Sequence, residues 1–261
     1  MDKLIIVKIG GNVIDDDEKC MDFLKSFRAI EGKKILVHGG GKLATSLAEK
    51  LSVQQQLVEG RRITDAETLK IITMVYGGLI NKNIVAQLQA FGCNAIGLSG
   101  ADGNVIQAHK RVHASIDYGF VGDVDAVNAS LLNNLLQQNI TPVLCAVSHD
   151  GKGQLLNTNA DTIAEETAKA LAPFYAVDLL YAFEKAGVLQ NANDESTAIS
   201  ELNTQSYAHL KANGAIFAGM IPKLDNAFNA LRAGVHKVII GKAETLTDLI
   251  NGTSGTSIVH D

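Results

Sequence analysis

Short apolar runs alternate along this chain with longer stretches whose apolar residues recur every three or four positions. Leu4–Ile9, Lys34–Val37, Ala95–Leu98, Pro142–Ala146, Ala176–Tyr181 and Lys237–Ile240 read as strands. They are apolar on both faces, as strands of a parallel sheet covered by helices on each side must be. Helical periodicity occupies Cys20–Ile30, Lys42–Leu51, Ala66–Phe91, Ala129–Gln138, Thr162–Leu171 and Leu224–Ala233. The alternation predicts an α/β fold, a three-layer αβα sandwich with a mainly parallel central sheet. The Gly- and Asp-rich stretch from Gly100 to Gly122 reads as a hairpin-rich excursion from the first half. Only three prolines occur, and no low-complexity linker divides the chain. Two lobes, 1–165 and 166–261, are therefore expected to share one sheet, with a loose boundary near 150–175.

The longest helical pattern, Ala66–Phe91, has a wide apolar stripe and carries Gly77-Gly78 at its middle. Each glycine there costs about 1 kcal/mol unless a close approach repays it. Two readings stay open: a bent core helix, or a helix crossing its counterpart in a second copy of the chain.

The 261 residues are long enough for one large α/β domain or two lobes on one sheet. The formal charge of −5 gives no general pull toward nucleic acid or anionic membrane. Cys20, Cys93 and Cys145 lie far apart, with no C-x-x-C or Cys/His cluster, so buried reduced thiols are expected rather than disulfides or a zinc site. No stretch reaches the ~20 apolar residues of a membrane span. The N-terminal apolar run is short and interrupted by Lys8, unlike a signal peptide, and the expected location is the cytoplasm.

Candidate chemistry gathers around four segments. Lys8-Ile9-Gly10-Gly11 and His38-Gly39-Gly40-Gly41 each follow a predicted strand. Ligands of parallel α/β sheets bind at the carboxyl ends of strands, where glycine turns let backbone N–H groups converge on an anion. Asn157-Thr158-Asn159-Ala160-Asp161 and Gly219-Met220-Ile221-Pro222-Lys223 follow later. Taken singly, the glycine turns read as tight βα turns, Asp161 with Glu165 as a helix start, Lys223 as a surface lysine and His38 as a turn-stabilising group. Two motifs are excluded: Gly41-Lys42 is followed by Leu43, so no P-loop exists, and neither turn has the dinucleotide fingerprint. The His-Gly-Gly-Gly run also suits an esterase oxyanion loop. The required G-x-S-x-G elbow fails, because Gly97-Leu98-Ser99-Gly100 ends in Ala101.

With Gly60-Arg61-Arg62-Ile63-Thr64 as a fifth marker, these segments span nearly the whole chain in the order of the amino acid kinase superfamily, which the sequence resembles. The Arg-Ile-Thr and Asn-x-Asn-Ala-Asp segments are similar to the branch acting on N-acetyl-L-glutamate. That resemblance implies phosphorylation of a γ-carboxylate by ATP, in arginine biosynthesis, with Mg²⁺ carried on the nucleotide phosphates. The first lobe would then bind the acylglutamate and dimerise, and the second would bind ATP. Lys8 and Lys223 would flank the transferring phosphoryl group, and Asp161 would hold the two ammonium groups in place. Gly40, Gly41, Arg62 and Asn157 would bind the substrate. Gly10, Gly11, Tyr181, Gly187, Ala215, Ile216 and Phe217 would line the nucleotide side.

One departure stands out. Relatives usually carry a Thr/Ser-Asp-Val turn where this chain reads Tyr181-Ala182-Phe183-Glu184-Lys185-Ala186-Gly187-Val188-Leu189; the Gly-Val-Leu end fits, but the missing aspartate puts the nucleotide contacts in question and suggests a longer loop. Arginine-inhibited relatives carry an N-terminal helical extension, whereas this sequence enters its first strand near residue 3. A homodimer without arginine feedback is the corresponding expectation. An N-succinyl-L-glutamate kinase, a carbamate or other small-carboxylate kinase and a non-catalytic nucleotide sensor are the alternatives. Arg62 and Asn157 argue against carbamate, which has no second carboxylate, and the three charged groups argue against a sensor.

Overall fold

The computed structural model describes residues 1–58, 61–191, 193–214, 216 and 220–259. Its spine is an eight-stranded sheet of β1 (Lys3–Ile9), β2 (Lys33–His38), β3 (Ala95–Leu98), β4 (Thr141–Cys145), β5 (Ala176–Phe183), β6 (Glu201–Leu202), β7 (Lys237–Lys242) and β8 (Thr256–Ile258). The spatial order is β6-β8-β7-β5-β1-β2-β4-β3. All neighbours are parallel except β7 and β8. The predicted αβα sandwich with a mainly parallel sheet is therefore what the chain forms, and both halves of the sequence supply strands to it.

Ten helices flank the strands among the described residues: α1 (Gly11–Ile14), α2 (Asp17–Ala29), α3 (Gly41–Lys50), α4 (Ala66–Ile72), α5 (Asn81–Ala90), α6 (Ala129–Gln137), α7 (Ala160–Leu171), α8 (Thr204–Ala212), α9 (Ile221–Arg232) and α10 (Leu246–Asn251). One continuous apolar core joins them to both faces of the sheet, which is why β1, β2 and β5 are buried along almost their full length. The glycine-rich excursion forms the antiparallel pair Ile106–Lys110 and Gly122–Val127. With Val147–His149 and Leu155–Asn157 it builds a second, four-stranded sheet that carries Asn157 to the site.

Three local departures have physical causes. Helix α2 starts at Asp17 rather than Cys20, because the Asp16 carboxylate accepts the Lys19 N–H at 3.1 Å and caps a polar first turn that has no apolar periodicity. The long 66–91 pattern is two α-helices joined by a π-helical stretch, Thr73–Ile80, containing Gly77-Gly78. A widened turn of this kind is more often a functional adjustment than an accident. Finally β6, β8, α8 and α10 escape the sequence reading, being short elements held by neighbours rather than by their own pattern.

β1 lies between β2 and β5, so the crevice at the carboxyl end of β1 receives the turns after all three strands. A buried polar brace holds the β2 turn. His38, the last residue of β2, is fully buried; its Nδ1–H donates to Gly39 O at 2.9 Å and its Nε2 accepts from Asn81 Nδ2 at 3.0 Å. Burial pushes its pKa down to about 4, against a smaller upward pull from Gly39 O, so the ring is neutral. Asn81 also donates to Val143 O at 3.0 Å, tying α5 to β4. We predict that Asn81→Ala, by orphaning His38 and the Val143 carbonyl, costs about 2–4 kcal/mol, read as the change in urea midpoint. A change under about 0.5 kcal/mol would show the brace to be unimportant.

Candidate active site

At the crevice, three charged side chains from distant parts of the chain meet. Lys8 Nζ lies 2.7 Å from Asp161 Oδ1, and Lys223 Nζ donates to Asp161 Oδ2 at 2.5 Å. Lys8 comes from β1, Asp161 from the first turn of α7 and Lys223 from the first turn of α9. The α7 start differs from the sequence reading. Asn159 is its N-cap and accepts the Asp161 N–H at 2.7 Å, so Asp161 is freed from capping and points its carboxylate at the lysines. Asparagine and aspartate are about equally favoured at an N-cap, so residue type alone did not decide between them.

The electrostatics follow from burial and charge. Desolvation pushes the Asp161 carboxyl upward, but the two ammonium groups, by charge and hydrogen bonding, outweigh it and hold the group below the usual carboxylate range. Burial lowers the Lys8 pKa, Asp161 opposes that, and Lys223 adds to it. Tyr181 lies directly beneath, 1% exposed, with its hydroxyl donating to Asp161 O at 3.4 Å. Its side chain is therefore a support under the acid, although the sequence reading assigned it to the nucleotide. One turn further along α7, Glu165 is buried with a pKa raised to about 7 by desolvation, which Lys169 only partly offsets.

Beside this trio opens a cavity of about 280 Å³, lined by Lys8, Gly11, Gly39, Gly40, Gly41, Arg61, Arg62, Tyr76, Asn157 and Asp161 among others. The two lysine-bearing ends, the glycine turns, the arginine and the asparagine are thus brought together. Arg62 is set in the cavity wall by Gly41 O at 3.0 Å, by Thr45 Oγ1 at 2.8 Å and by Gln55 Oε1, with the Tyr76 hydroxyl beside it. Asn157 Nδ2 donates to Thr64 Oγ1 at 3.0 Å, and Thr64 Oγ1 donates to Arg62 O, so Thr64 ties the two polar walls together. Gly40 has φ +149°, and a Cβ there would stand 2.1 Å from Ile80 Cδ1. The π-helical segment is packed hard onto this turn, and nothing in the sequence announced Tyr76 or Ile80 as cavity neighbours.

On the other flank, the Gly10 N–H donates to Ala182 O at 2.7 Å, binding the first glycine turn to the end of β5. Gly187 lies too close to Thr256 for a side chain, since a Cβ would stand 2.6 Å from Thr256 Oγ1. Ile216 is buried, while Ala215 and Phe217, like Gly60 and Gly219 of the sequence markers, lie outside the described residues. Among the described residues, no group of three or more His, Cys, Asp or Glu side chains is placed to hold a metal, and no helix is long and apolar enough to cross a membrane.

The comparison with known proteins decides the family. The profile of the amino acid kinase family matches residues 3–242. The chain belongs to the amino acid kinase family. Two relatives within this family are named acetylglutamate kinase. That of Cytophaga hutchinsonii is 56% identical over 262 residues, covering 99% of each chain, and that of Phocaeicola vulgatus is 55% identical over 257 residues, covering 98% of each. Among solved structures, a Streptococcus mutans protein superposes with a TM-score of 0.82 at 27% identity, over 99% of both chains.

For this amino acid kinase the charge trio generates a prediction. Asp161→Asn should lower kcat by roughly 10²–10³-fold, since the two ammonium groups lose the group that orients them. A group whose folded pKa is depressed contributes stability above its unfolded pKa of about 4 and loses it as pH falls toward the folded value. Thermal midpoints from pH 6 to pH 2.5 should thus fall less steeply in Asp161→Asn than in the wild type. Equal acid slopes would remove Asp161 as an electrostatic anchor.

Proposed function

We propose that the protein transfers the γ-phosphoryl group of ATP to the γ-carboxylate of an N-acyl-L-glutamate, N-acetyl-L-glutamate before others, as a step of arginine biosynthesis in the cytoplasm. The observation that carries the proposal is Asp161 bridging Lys8 and Lys223 at the edge of a cavity whose far wall holds Arg62 and Asn157. The relatives named acetylglutamate kinase, more than half identical over nearly the whole chain, support the choice of substrate.

The chemistry follows from charge. A carboxylate attacking a phosphate is an anion meeting an anion, so positioning and neutralisation must dominate. Lys8 and Lys223 flank the transferring group and offset charge on its oxygens. Gly11 and Gly40 direct backbone N–H groups toward it, with Gly10 fixing the turn. Arg62, already held in the plane of its fork, grips the substrate's α-carboxylate, a task for which a guanidinium is better suited than an ammonium. Asn157 and Gly41 complete the substrate wall. The nucleophile is ionised at neutral pH, so no general base is required. Neutral, buried His38 fits that requirement. On the same reading the 1–165 lobe holds the acylglutamate, and the 166–261 lobe holds ATP through the 181–187 and 215–217 segments. Mg²⁺ would arrive on the nucleotide phosphates and supply charge neutralisation there.

A homodimer is part of the proposal. Met74 and Leu79 on the π-helical segment are 52% and 54% exposed, and Ile96 lies half-covered on β3, the edge strand of the sheet. Exposed large apolar residues on a helix face and on an edge strand suit a second copy of the same chain. The expected result from light scattering is twice the chain mass, falling to one chain in a Met74→Glu/Leu79→Glu variant. A wild-type monomer at micromolar concentration would sink the dimer.

Hydroxylamine trapping of the acyl phosphate tests the activity. With ATP, N-acetyl-L-glutamate should give hydroxamate well ahead of N-succinyl-L-glutamate, free glutamate and carbamate. Preference for the succinyl compound would move the substrate while keeping the mechanism. Nucleotide binding with no acyl phosphate from any of the four would point to a sensor.

A further inference from the structure

Helix α9 presents Lys223 to the charge trio, yet its first turn has no cap of its own. The N-cap residue is Met220, whose side chain makes no capping hydrogen bond. An ammonium in the first turn also meets the positive end of the helix dipole, so Lys223 gains nothing from its own helix. What fixes this turn must come from elsewhere.

The helix lies on the core through Leu224, Ala227 and Leu231, all buried. Hydrophobic contact is non-directional, so such a face holds the helix axis in place better than it holds the rotation about that axis. At about 100° per residue, Lys223 and Asp225 leave the helix about 160° apart, on opposite flanks of the buried face. On one flank Lys223 is drawn to Asp161. On the other, Tyr207 of α8 donates its hydroxyl to Asp225 Oδ1 at 2.7 Å and stands 3.4 Å from Ile221 O, one turn earlier. The Tyr207 ring is 8% exposed and stacks on Phe228, with centroids 5.2 Å apart. One tyrosine therefore touches α9 at 221, 225 and 228, which helical spacing puts on a single face. Burial, and then the bond and charge of Asp225, raise the Tyr207 pKa, so the hydroxyl keeps the proton that it donates. Lys211 Nζ lies 3.5 Å from Asp225 Oδ1, but both side chains are about half exposed and that pair adds little.

We propose that Tyr207 is a positioning residue for Lys223: its bond to Asp225 stops α9 from rolling and so keeps the Lys223 ammonium in line with Asp161 at the transferring phosphoryl group. A roll of about 10° carries a group ~6 Å from the helix axis through about 1 Å. A displacement of that size can cost on the order of 10²-fold in rate. The inference rests on the proposed kinase reading for its effect on rate and on α8 and α9 alone for its structural part.

The hydroxylamine assay compares wild type with Tyr207→Phe and Asp225→Ala, which break the same bond from its two ends. Phenylalanine keeps the ring that stacks on Phe228. Each variant should lower kcat about tenfold with KM for N-acetyl-L-glutamate within about twofold. The double variant should lose no more than either alone. Asp225→Asn keeps an acceptor oxygen and should return to within about threefold of wild type; an asparagine variant as impaired as the alanine one would overturn the proposal. A Lys223→Met background separates positioning from general loosening. There Tyr207→Phe should change the residual kcat less than about twofold, because the lysine through which it acts is gone. A further tenfold loss in that background would also overturn the proposal.

Amide hydrogen exchange supplies a readout that needs no substrate. The Leu224 N–H donates to Met220 O at 3.0 Å at the start of α9 and should exchange faster in Tyr207→Phe. Leu132, at the start of α6, should stay unchanged. Unaltered kcat in both single variants, or unaltered Leu224 exchange in Tyr207→Phe, would overturn the proposal as well. Asp225 is half-exposed, so its alanine variant decides both readouts if Tyr207→Phe does not fold. Wild-type inactivity on every acylglutamate would remove the kinase reading and leave Leu224 exchange to judge the hold on α9.

Discussion

The contact on which the rest depends is one carboxylate held between two ammonium groups. Asp161 receives Lys8 from the central strand and Lys223 from a helix near the far end of the chain. Each half-buried lysine would be expensive without a counter-charge, and the acid alone would be driven to protonate. Together the three are tolerable, and they fix β1, α7 and α9 relative to one another at one point. The supports beneath follow from that point. Asn159 takes over capping so that Asp161 is free to face the lysines, and Tyr181 fills the space below.

Around this centre the backbone is arranged for close approach. Gly40 has neither a side chain nor an ordinary φ because the π-helical segment presses Ile80 and Tyr76 onto it. That packing sets Tyr76 beside Arg62 in the cavity wall. The glycine pair at 77–78 is then understandable: it lets the helix widen over Thr73–Ile80 while its buried face keeps Val75, Tyr76 and Ile80 packed. Bent core helix and exposed dimer face, the two readings left open by the sequence, are compatible here, since the inner residues pack and Met74 and Leu79 face outward.

Much of this was legible in the chain. The strands that build the crevice are long apolar runs, and their ends came within two residues because the signal is strong where burial is two-sided. Lys8 and Lys223 stood out as charged residues near glycine turns, whereas Asp161, Arg62 and Asn157 entered through the family resemblance, and the fold brings these residues to one crevice. What stayed hidden was tertiary. Asn159 and Asp161 are two residues apart, and only the fold shows which one caps the helix. Tyr181 was expected on the nucleotide side; β5 continues to Phe183, and the Tyr181 side chain is buried beneath Asp161. The packing of Ile80 onto Gly40 joins segments far apart in sequence, for which local pattern holds no information.

The net charge of the trio bears on how such a site would work. Two unpaired ammonium groups would attract phosphate strongly in substrate, transition state and product alike, and uniform binding of that kind does not speed the chemical step. Asp161 cancels one of the two charges, leaving a net of about +1 on the trio at neutral pH. It also holds the remaining charge in place, so that little reorganisation is needed when negative charge shifts between oxygens. Burial pushes Lys8 toward its neutral form, and Asp161 opposes that push. An anion entering the cavity acts in the same sense as Asp161 does, so the cost of keeping Lys8 charged falls when substrate arrives. The acid is thus more than a tether: it sets how much positive charge the empty site carries, and therefore how much of the attraction is left for the step in which charge moves.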